Sequence, residues 1–576
     1  MQRSRIWRWL PSWLLFGLPF GLHVYIATAS TYTLLNWFQI DDAFYYFVVA
    51  RNIARGVGVT FDGLGPTNGF HPLWMALLVP IFALFRDMYT PLRVVVVLTG
   101  ALHGLTGVIL YRAGRRVFRP GVAWLLAIAW AWSPRIFRLF NVGGIESTLN
   151  ALTLAYLWDT SLVLWLTAPR APARAWTRWG WALALSMLAR LDNVFLAGGM
   201  VLWMMLGPYR SLWWEGLRSR RWGEVVRWGL RWAGPPLVLV GGYLLWSAWY
   251  VGGVLPVSAR VKRWWGTFGS GTPYGAPIAG PWPLVALRST FDPSDTPWPL
   301  LVHPLWNAYQ THAVRWGLPP IATWRDGLHL ALVGMVLLAP FLWFTRRWWW
   351  PVARRSLVLP WLLFAEIHGV YYDISRHMAQ RHWYWVMQAL GLYIAAATLV
   401  EGLAEALARR WPRARRWGWA LVLALSLWAG VRYTQYVVRS YPWYRPGDHL
   451  YERYARWVEA HTEPGARIAA TGAGALAYFI QDREVINLDG LISNYAYVRA
   501  LEAGQREAYL AQAGVDYLLV GRAFCRNPKE CIELTEPYAS LTPYASDMVA
   551  EYYDPEEGWR IHLRRFHPPS QAQPGE

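Results

Sequence analysis

The chain has 576 residues, of which 55% are hydrophobic, only 16% are charged and 42 are tryptophan. A soluble protein of this length would have several domains with charged surfaces, whereas repeated apolar runs near 20 residues are typical of a polytopic membrane protein. The net charge is +20, but residues 1–436 hold 41 basic and 16 acidic residues, and residues 437–576 hold 14 and 19. The positive-inside rule therefore explains the excess, and nucleic-acid binding is not indicated.

The chain begins with a basic segment, followed at about residues 12 to 35 by an apolar run long enough to cross a bilayer. We expect a retained first span here rather than a cleaved signal. The arginines before it favour the cytoplasm, so Asp41 and Asp42 should emerge on the outer side. Residues 41–55 have helical spacing, which predicts a helix lying along the membrane interface.

A run of only about 14 apolar residues, starting at His71, decides the topology. If this run dips into the membrane or lies flat, the later arginine clusters all fall on the cytoplasmic side. We therefore predict an α-helical polytopic domain over residues 1–436, with about 11 spans plus interfacial or re-entrant helices. The later spans are expected near residues 91–111, 121–134, 147–167, 179–191, 193–208, 233–251, 327–345, 357–372, 383–400 and 417–432.

Residues 437–576 differ in character from the rest of the chain. Strand-like segments at 467–472, 484–488 and 515–520 alternate with helical segments, which predicts a small α/β domain outside the membrane, on its extracytoplasmic side. The two cysteines, Cys525 and Cys531, also lie here. A disulfide between them and two reduced thiols are both compatible with the sequence.

Asp41 and Asp42 are the principal candidates for catalysis. Acidic residues are costly at membrane depth, so a pair at the end of a span is a functional hypothesis by default. A carboxylate beside a like charge in a partly buried cleft has a raised pKa, which suits a general base. A solvated acidic pair at the end of a helix is the simpler alternative. Either residue, together with Glu146, could instead hold a divalent cation such as Mg, Mn or Ca.

Three segments carry a resemblance to a known family. The first loop contains Asp41-Asp42-Ala43-Phe44-Tyr45-Tyr46 and ends in Thr67-Asn68-Gly69-Phe70-His71-Pro72-Leu73-Trp74, and the other segments are Leu255–Lys262 and Asn487–Leu491. Together they resemble the GT-C glycosyltransferase superfamily, and most of all its arabinofuranosyltransferase-like branch, although Val257 stands where the family often has Asn. The resemblance implies inverting transfer of a sugar from a polyprenyl-phosphate donor to a hydroxyl of a glycan, lipid or protein. It assigns the base to Asp41 first and to Asp42 second.

Cations are needed for the departing phosphate, and two basic clusters could supply them. Arg260 and Lys262 belong to one, Arg376 and Arg381 to the other. Interfacial residues that extend toward lipid headgroups would give the same pattern. The remaining candidates for substrate binding are His71, Asn68, Glu146, His377, His382 and Tyr45.

Two alternatives to an enzyme are a transporter or flippase and a scaffolding membrane protein. Transporters tend to have internal repeats and charged groups in mid-span, whereas this sequence contains no evident repeat and collects its polar residues at one face. If the chain were a scaffold, the acid pair, His71 and Lys262 would have no common function. We therefore expect a multi-pass enzyme of the plasma membrane, with Asp41, Lys262 and either Arg376 or Arg381 around one cavity.

Overall fold

The chain is mostly helical, with one small sheet near its C-terminus. A computed structural model describes residues 3–218, 222–268, 272–291, 309, 311–313, 315, 317, 323–411, 414–526, 533–545, 547–556 and 558–569. Its helices up to residue 440 are Arg3–Ala27, Thr31–Trp37, Asp42–Ala54, Pro72–Leu84, Thr90–Gly114, Pro120–Ala131, Pro134–Ile136, Ser147–Thr167, Ala173–Ala189, Val194–Leu206, Arg210–Arg218, Trp222–Trp246, Val257–Trp265, Trp282–Phe291, Trp324–Ser356, Val358–Ile374, Val386–Arg410 and Ala414–Ser440. Single turns of 3-10 or π type lie at Phe137–Asn141, Leu191–Asn193, Ser247–Val251 and His382–Trp385.

Several of these helices are suited to crossing a membrane. Within the described ranges, five are long and apolar enough, and a sixth is added if two helical segments between Trp324 and Ser356, bent by 51°, form one span. The five are Trp9–Ala27, Thr90–Gly114, Ser147–Thr167, His382–Arg410 and Trp417–Ser440. Helices occupy every predicted span position, and the number of about 11 spans stays a prediction.

The first predicted span is wrong at its C-terminal end. The helix stops at Ala27, and a separate short helix begins at Thr31. Ser30 separates the two helices because its backbone N–H donates to the carbonyl of Trp443 at 2.8 Å. Its hydroxyl also accepts the N–H of Thr33 at 3.4 Å and so caps the second helix.

The helix predicted at residues 41–55 is observed at Asp42–Ala54, and we call it the first-loop helix. All eight residues from position 43 to position 50 are buried. A helix lying on a lipid surface would leave one face toward water. The first-loop helix is therefore enclosed by protein, and its placement along the membrane interface stays a prediction.

The sheet has five strands in the order β2-β1-β3-β5-β4. Its three parallel strands confirm the predicted segments, and β4 and β5 form an antiparallel hairpin that the sequence did not indicate. The strands are β1 (Arg467–Ala470), β2 (Glu484–Asn487), β3 (Tyr517–Gly521), β4 (Met548–Asp554) and β5 (Trp559–Arg565). Helices Leu450–Ala460, Gly474–Phe479, Tyr495–Glu502 and Arg506–Gln512 accompany them.

The N-terminus of helix Gly474–Phe479, which we call the docking helix, is fixed by the first loop. Asp41 is the residue just before the first-loop helix, and its carboxylate accepts the backbone N–H groups of Ala475 at 2.6 Å and Gly474 at 3.0 Å. A negative charge at this end complements the helix dipole. A Cβ at position 474 would clash with the Asp41 carbonyl oxygen, so the close approach requires glycine there.

The C-terminus of the docking helix is fixed by the same first-loop helix. Arg51 donates to the carbonyl oxygens of Ala477 at 2.9 Å and Tyr478 at 3.0 Å. Its guanidinium also lies 5.0 Å from the centre of the Tyr478 ring. A positive charge is favourable at this end of a helix. One helix of the first loop therefore holds both ends of the docking helix and positions the C-terminal sheet.

Asn68 connects the end of the first loop to the segment before helix Val257–Trp265. Its side-chain amide donates to Ser247 Oγ at 2.6 Å and to the Leu255 carbonyl at 3.1 Å, and its side-chain oxygen accepts the Val257 N–H at 2.9 Å. The residue is fully buried. Two segments of the family resemblance are thus joined by one amide side chain.

We predict that Arg51→Gln loosens the docking helix without unfolding residues 1–436, which we call the membrane half. Hydrogen bonds from a charged donor each contribute about 1.5–3 kcal/mol, so amide exchange in residues 474–479 should become roughly tenfold faster or more. Hydrogen–deuterium exchange of the full chain in detergent measures this. The matched control is Arg55→Gln, an exposed arginine at the end of the same helix. Equal exchange in both variants would contradict the proposed role of Arg51.

Candidate functional site

A central cavity of about 1020 Å³ lies between the first loop, the membrane half and the C-terminal sheet. Both halves of the chain supply its walls, so the contacts of the docking helix also set its shape. The polar and charged residues that line it are Gln39, Asp41, Asp42, Tyr45, Arg135, Arg138, Lys262, Tyr274, Arg381, His382, Tyr454, Thr471, Asp489, Arg522 and Arg560.

The two predicted catalytic acids both line the cavity but have different surroundings. Burial raises the pKa of Asp41 to about 7, while the N–H of Ala475 lowers it and the charge of Asp42 raises it. Both oxygens of Asp41 are engaged by the docking helix. The carboxylate of Asp42 accepts no hydrogen bond from any described residue. The carboxylate of Asp42 is therefore the one left for an incoming group.

Two cations face Asp42. Burial raises the pKa of the Asp42 carboxyl, and the positive charges of Lys262 and then Arg381 oppose that rise. The Lys262 ammonium donates to the Ala379 carbonyl at 3.0 Å and lies 4.9 Å from the centre of the Tyr384 ring. A carboxylate and two cations in one cavity can remove a proton and stabilise an anion at the same time.

Asp489 is a third acid of the cavity, and sequence reasoning did not select it as a site residue. Its carboxylate accepts the hydroxyls of Tyr274 at 2.7 Å and Tyr538 at 2.5 Å and the backbone N–H of Gly472 at 2.7 Å. Tyr45 also points its hydroxyl at this carboxylate, at 3.5 Å. With so many donors, Asp489 organises the cavity wall. Its only sequence signal was its place in the third family-like segment.

Four arginines of the cavity wall were also not predicted. Arg135 and Arg138 lie at the turn after helix Pro120–Ala131, and Arg522 and Arg560 come from the ends of strands β3 and β5. Arg560 is paired with Glu551 at 2.7 Å. Arg135 and Arg138 could have been noticed in the sequence as two basic residues directly after the predicted span at 121–134.

The predicted basic clusters are divided by the structure. Arg260 does not line the cavity but forms an ion pair with Glu502. Arg376 is exposed and is likewise absent from the cavity wall, and its backbone carbonyl packs against Gly266. The expectation that Arg260 and Lys262 act together is therefore corrected, because residues two apart on a helix face different directions.

Three further candidates for substrate binding lie outside the cavity. Asn68 makes the internal hydrogen bonds described above, and His377 is buried with its Nδ1 atom 2.6 Å from the Ser375 hydroxyl. His71 lies beside Glu146, with 3.5 Å between His71 Nε2 and Glu146 Oε1. Of the six candidates, Tyr45 and His382 line the cavity.

Glu146 belongs to a separate group of charges, the buried ion network of Glu146, Arg190, Asp192 and His368. Arg190 forms ion pairs with both Glu146 and Asp192, the latter at 2.8 Å. Asp192 also accepts from Tyr372 at 2.5 Å and lies 3.2 Å from His368. Arg190 holds the pKa of Asp192 well below its ordinary value despite burial. This network pairs one buried cation with two acids and joins the ends of several helices.

The residues present do not fit the divalent-cation site that the sequence suggested. Glu146 is neutralised by Arg190, and the Asp41 oxygens are held by backbone N–H groups. Within the described ranges, no three His, Cys, Asp or Glu side chains form a group that could hold a metal ion. Cys531 lies outside these ranges, and the sequence leaves both a disulfide with Cys525 and two reduced thiols open.

Residues 439–563 match a family described as a domain of unknown function, DUF8728. No curated protein matches the chain. Two similar solved structures are oligosaccharyltransferases of Archaeoglobus fulgidus, both with 13% sequence identity. One is archaeal oligosaccharyltransferase AglB in complex with an inhibitory peptide and a dolichol-phosphate, with a TM-score of 0.47; the match covers 96% of this chain and 74% of that chain. The other is an apo form with a TM-score of 0.48, and the match covers 98% of this chain and 75% of that chain.

We predict that Glu146→Gln destabilises the protein because it removes one acid from buried Arg190. Breaking a buried ion pair costs about 3–5 kcal/mol, and since Asp192 remains, the lower end applies. The unfolding midpoint in detergent should fall clearly. The matched control is Glu405→Gln, which removes an exposed pair with Arg409 worth at most about 1 kcal/mol. Equal midpoints for the two variants would show that the network does not stabilise the fold.

Proposed function

We propose that the chain is a membrane-embedded glycosyltransferase of the GT-C type. It moves a sugar from a polyprenyl-phosphate donor to a hydroxyl of a glycan, lipid or protein acceptor, with inversion at the anomeric carbon. The reaction takes place in the central cavity, on the outer side of the plasma membrane. The apolar helices, the family-like segments of the first loop and the chemistry of the cavity support this proposal.

The observation that carries the proposal is the position of Asp42. Its carboxylate has no hydrogen-bond partner among the described residues, although it lines a cavity and lies close enough to Lys262 and Arg381 for their charges to act on it. An acid kept free in such a place is suited to accept a proton. We therefore assign the base to Asp42 and an anchoring role to Asp41.

The proposed reaction is a single displacement at the anomeric carbon of the donor sugar. Asp42 takes the proton of the acceptor hydroxyl while the acceptor oxygen forms a bond to the anomeric carbon of the sugar. The bond between that carbon and the phosphate oxygen breaks, and polyprenyl phosphate leaves with its bonding electrons. The phosphate gains one negative charge during this step. Lys262 and Arg381 stabilise that charge as it develops, which is where cations accelerate such a reaction most.

A transporter or flippase is the alternative, and the cavity favours the enzyme. The sequence led us to expect that an enzyme would bring Asp41, Lys262 and either Arg376 or Arg381 to one cavity. Asp41, Lys262 and Arg381 line the central cavity together. A transporter is instead expected to hold its substrate near the midplane between two repeats.

The donor to test first is decaprenyl-phosphate arabinofuranose, because the first loop resembles the arabinofuranosyltransferase-like branch. Mannose and glucose carriers serve as comparison donors. The assay follows transfer of labelled sugar from each carrier to membrane extract in the presence of the purified full chain. A chain that transfers no sugar from any of these carriers would contradict the proposal.

We predict that Asp42→Asn lowers the transfer rate about 100-fold or more, because a positioned base contributes at least that factor. Asp41→Asn should have a smaller effect on the rate and a larger one on amide exchange in the docking helix. Both rates are measured with the same labelled donor and are compared with wild type only where the variant is as stable as wild type. If Asp42→Asn transfers sugar at the wild-type rate, the assignment of the base is wrong.

We also predict that the transfer rate falls as the pH drops below the raised pKa of Asp42, because only the ionised carboxylate accepts a proton. Lys262 lowers that pKa. Lys262→Gln should therefore move the acidic limb of the pH–rate profile to higher pH, in addition to reducing the rate. Arg445→Gln, which changes an arginine outside the cavity wall, should leave the limb in place. A shift to lower pH in Lys262→Gln would refute this coupling.

A further inference from the structure

Arg135 and Arg138 line the central cavity where the chain turns after helix Pro120–Ala131. Neither side chain forms a hydrogen bond or ion pair with any residue that the structure describes. The Nε atom of Arg135 is buried and unpaired. The Arg135 side chain as a whole is half-buried and that of Arg138 is exposed to the cavity. A partly desolvated guanidinium without an acid is costly, and the described residues supply no negative partner in this part of the wall.

The two arginines also act on each other. They are three residues apart on a continuous helical turn, a spacing that places side chains on one face. Burial lowers the pKa of Arg135, and the like charge of Arg138 lowers it further. An anion bound between them would relieve both the repulsion and the cost of burial.

The pair is distinct from the cations assigned to the leaving phosphate. Lys262 and Arg381 are the cations whose charges act most strongly on Asp42. The turn Phe137–Asn141, which carries Arg138, packs against the turn His382–Trp385 that follows Arg381. The pair therefore adjoins the region of the leaving phosphate, and an extended substrate could reach both.

We propose that Arg135 and Arg138 form a second anion subsite, which binds a second phosphate group of the substrates. This inference rests on the proposed function, because it assigns the first phosphate to Lys262 and Arg381. The second phosphate comes either from the donor, if the sugar is carried on a polyprenyl diphosphate, or from a phosphate-bearing acceptor. Arginine forms charge-assisted, often bidentate, hydrogen bonds with either.

The test measures binding to the purified full chain in lipid nanodiscs. The probes are a polyprenyl phosphate, a polyprenyl diphosphate of equal chain length, and inorganic phosphate added after the polyprenyl phosphate has bound. Wild type is compared with R135Q/R138Q, with the charge-preserving R135K/R138K, and with Lys262→Gln. Should R135Q/R138Q not fold, Arg138→Gln alone replaces it, since that side chain is exposed to the cavity.

If the second phosphate comes from the donor, wild type should bind the polyprenyl diphosphate about tenfold or more tightly than the polyprenyl phosphate. R135Q/R138Q should then bind the two equally well. If the second phosphate comes from the acceptor, R135Q/R138Q should bind both polyprenyl probes as tightly as wild type does. Its affinity for inorganic phosphate should be about tenfold lower than that of wild type. In both cases R135K/R138K should retain part of the affinity. If R135Q/R138Q binds all three probes as wild type does, the subsite does not exist.

Lys262→Gln separates this inference from the proposed function. If the proposed function holds, this variant binds the monophosphate more weakly than wild type does. If wild type does not bind the monophosphate, or Lys262→Gln binds it equally well, the proposed function fails. Loss of diphosphate or inorganic phosphate binding in R135Q/R138Q alone would then still support an anion subsite at the two arginines.

Discussion

The docking helix, held at both ends by the first-loop helix, is the interaction on which the rest of the structure depends. Asp41 binds the N–H groups at its N-terminus and Arg51 binds the carbonyls at its C-terminus. Each charge complements the end of the helix dipole that it contacts. These contacts hold the docking helix against the first loop, next to the cavity that the C-terminal sheet and the membrane half enclose.

The same arrangement divides the work of the acid pair. Because Asp41 is engaged by the docking helix, adjacent Asp42 is turned toward the cavity, as expected for residues about 100° apart on a helix. One acid thus holds the docking helix, while the carboxylate of the other has no hydrogen-bond partner among the described residues. Asp489, which is held by two tyrosines and a backbone N–H, has an organising role of the same kind.

Charge is distributed in two different ways within the protein. In the buried ion network, Arg190 is paired with two acids, and these side chains are engaged with one another away from the cavity wall. Along the cavity the cations Arg135, Arg138 and Arg522 have no ion-pair partner among the described residues, so the wall is suited to anionic substrates. Glu146 and His71 belong to the first arrangement, which explains why acidic and basic residue types alone were poor guides to the site.

The sequence by itself determined the helices and the parallel strands, and it singled out the acid pair and Lys262 as candidates, because apolar periodicity and costly charges are local properties. It also contained the reason to separate Arg260 from Lys262, since residues two apart on a helix point about 200° apart. The tertiary structure decided which aspartate is free, because the partners of Asp41 lie more than 430 residues away along the chain. It likewise decided that Asp489, Arg135 and Arg138 share a cavity and that Asn68 does not, since contacts between distant segments leave no local pattern.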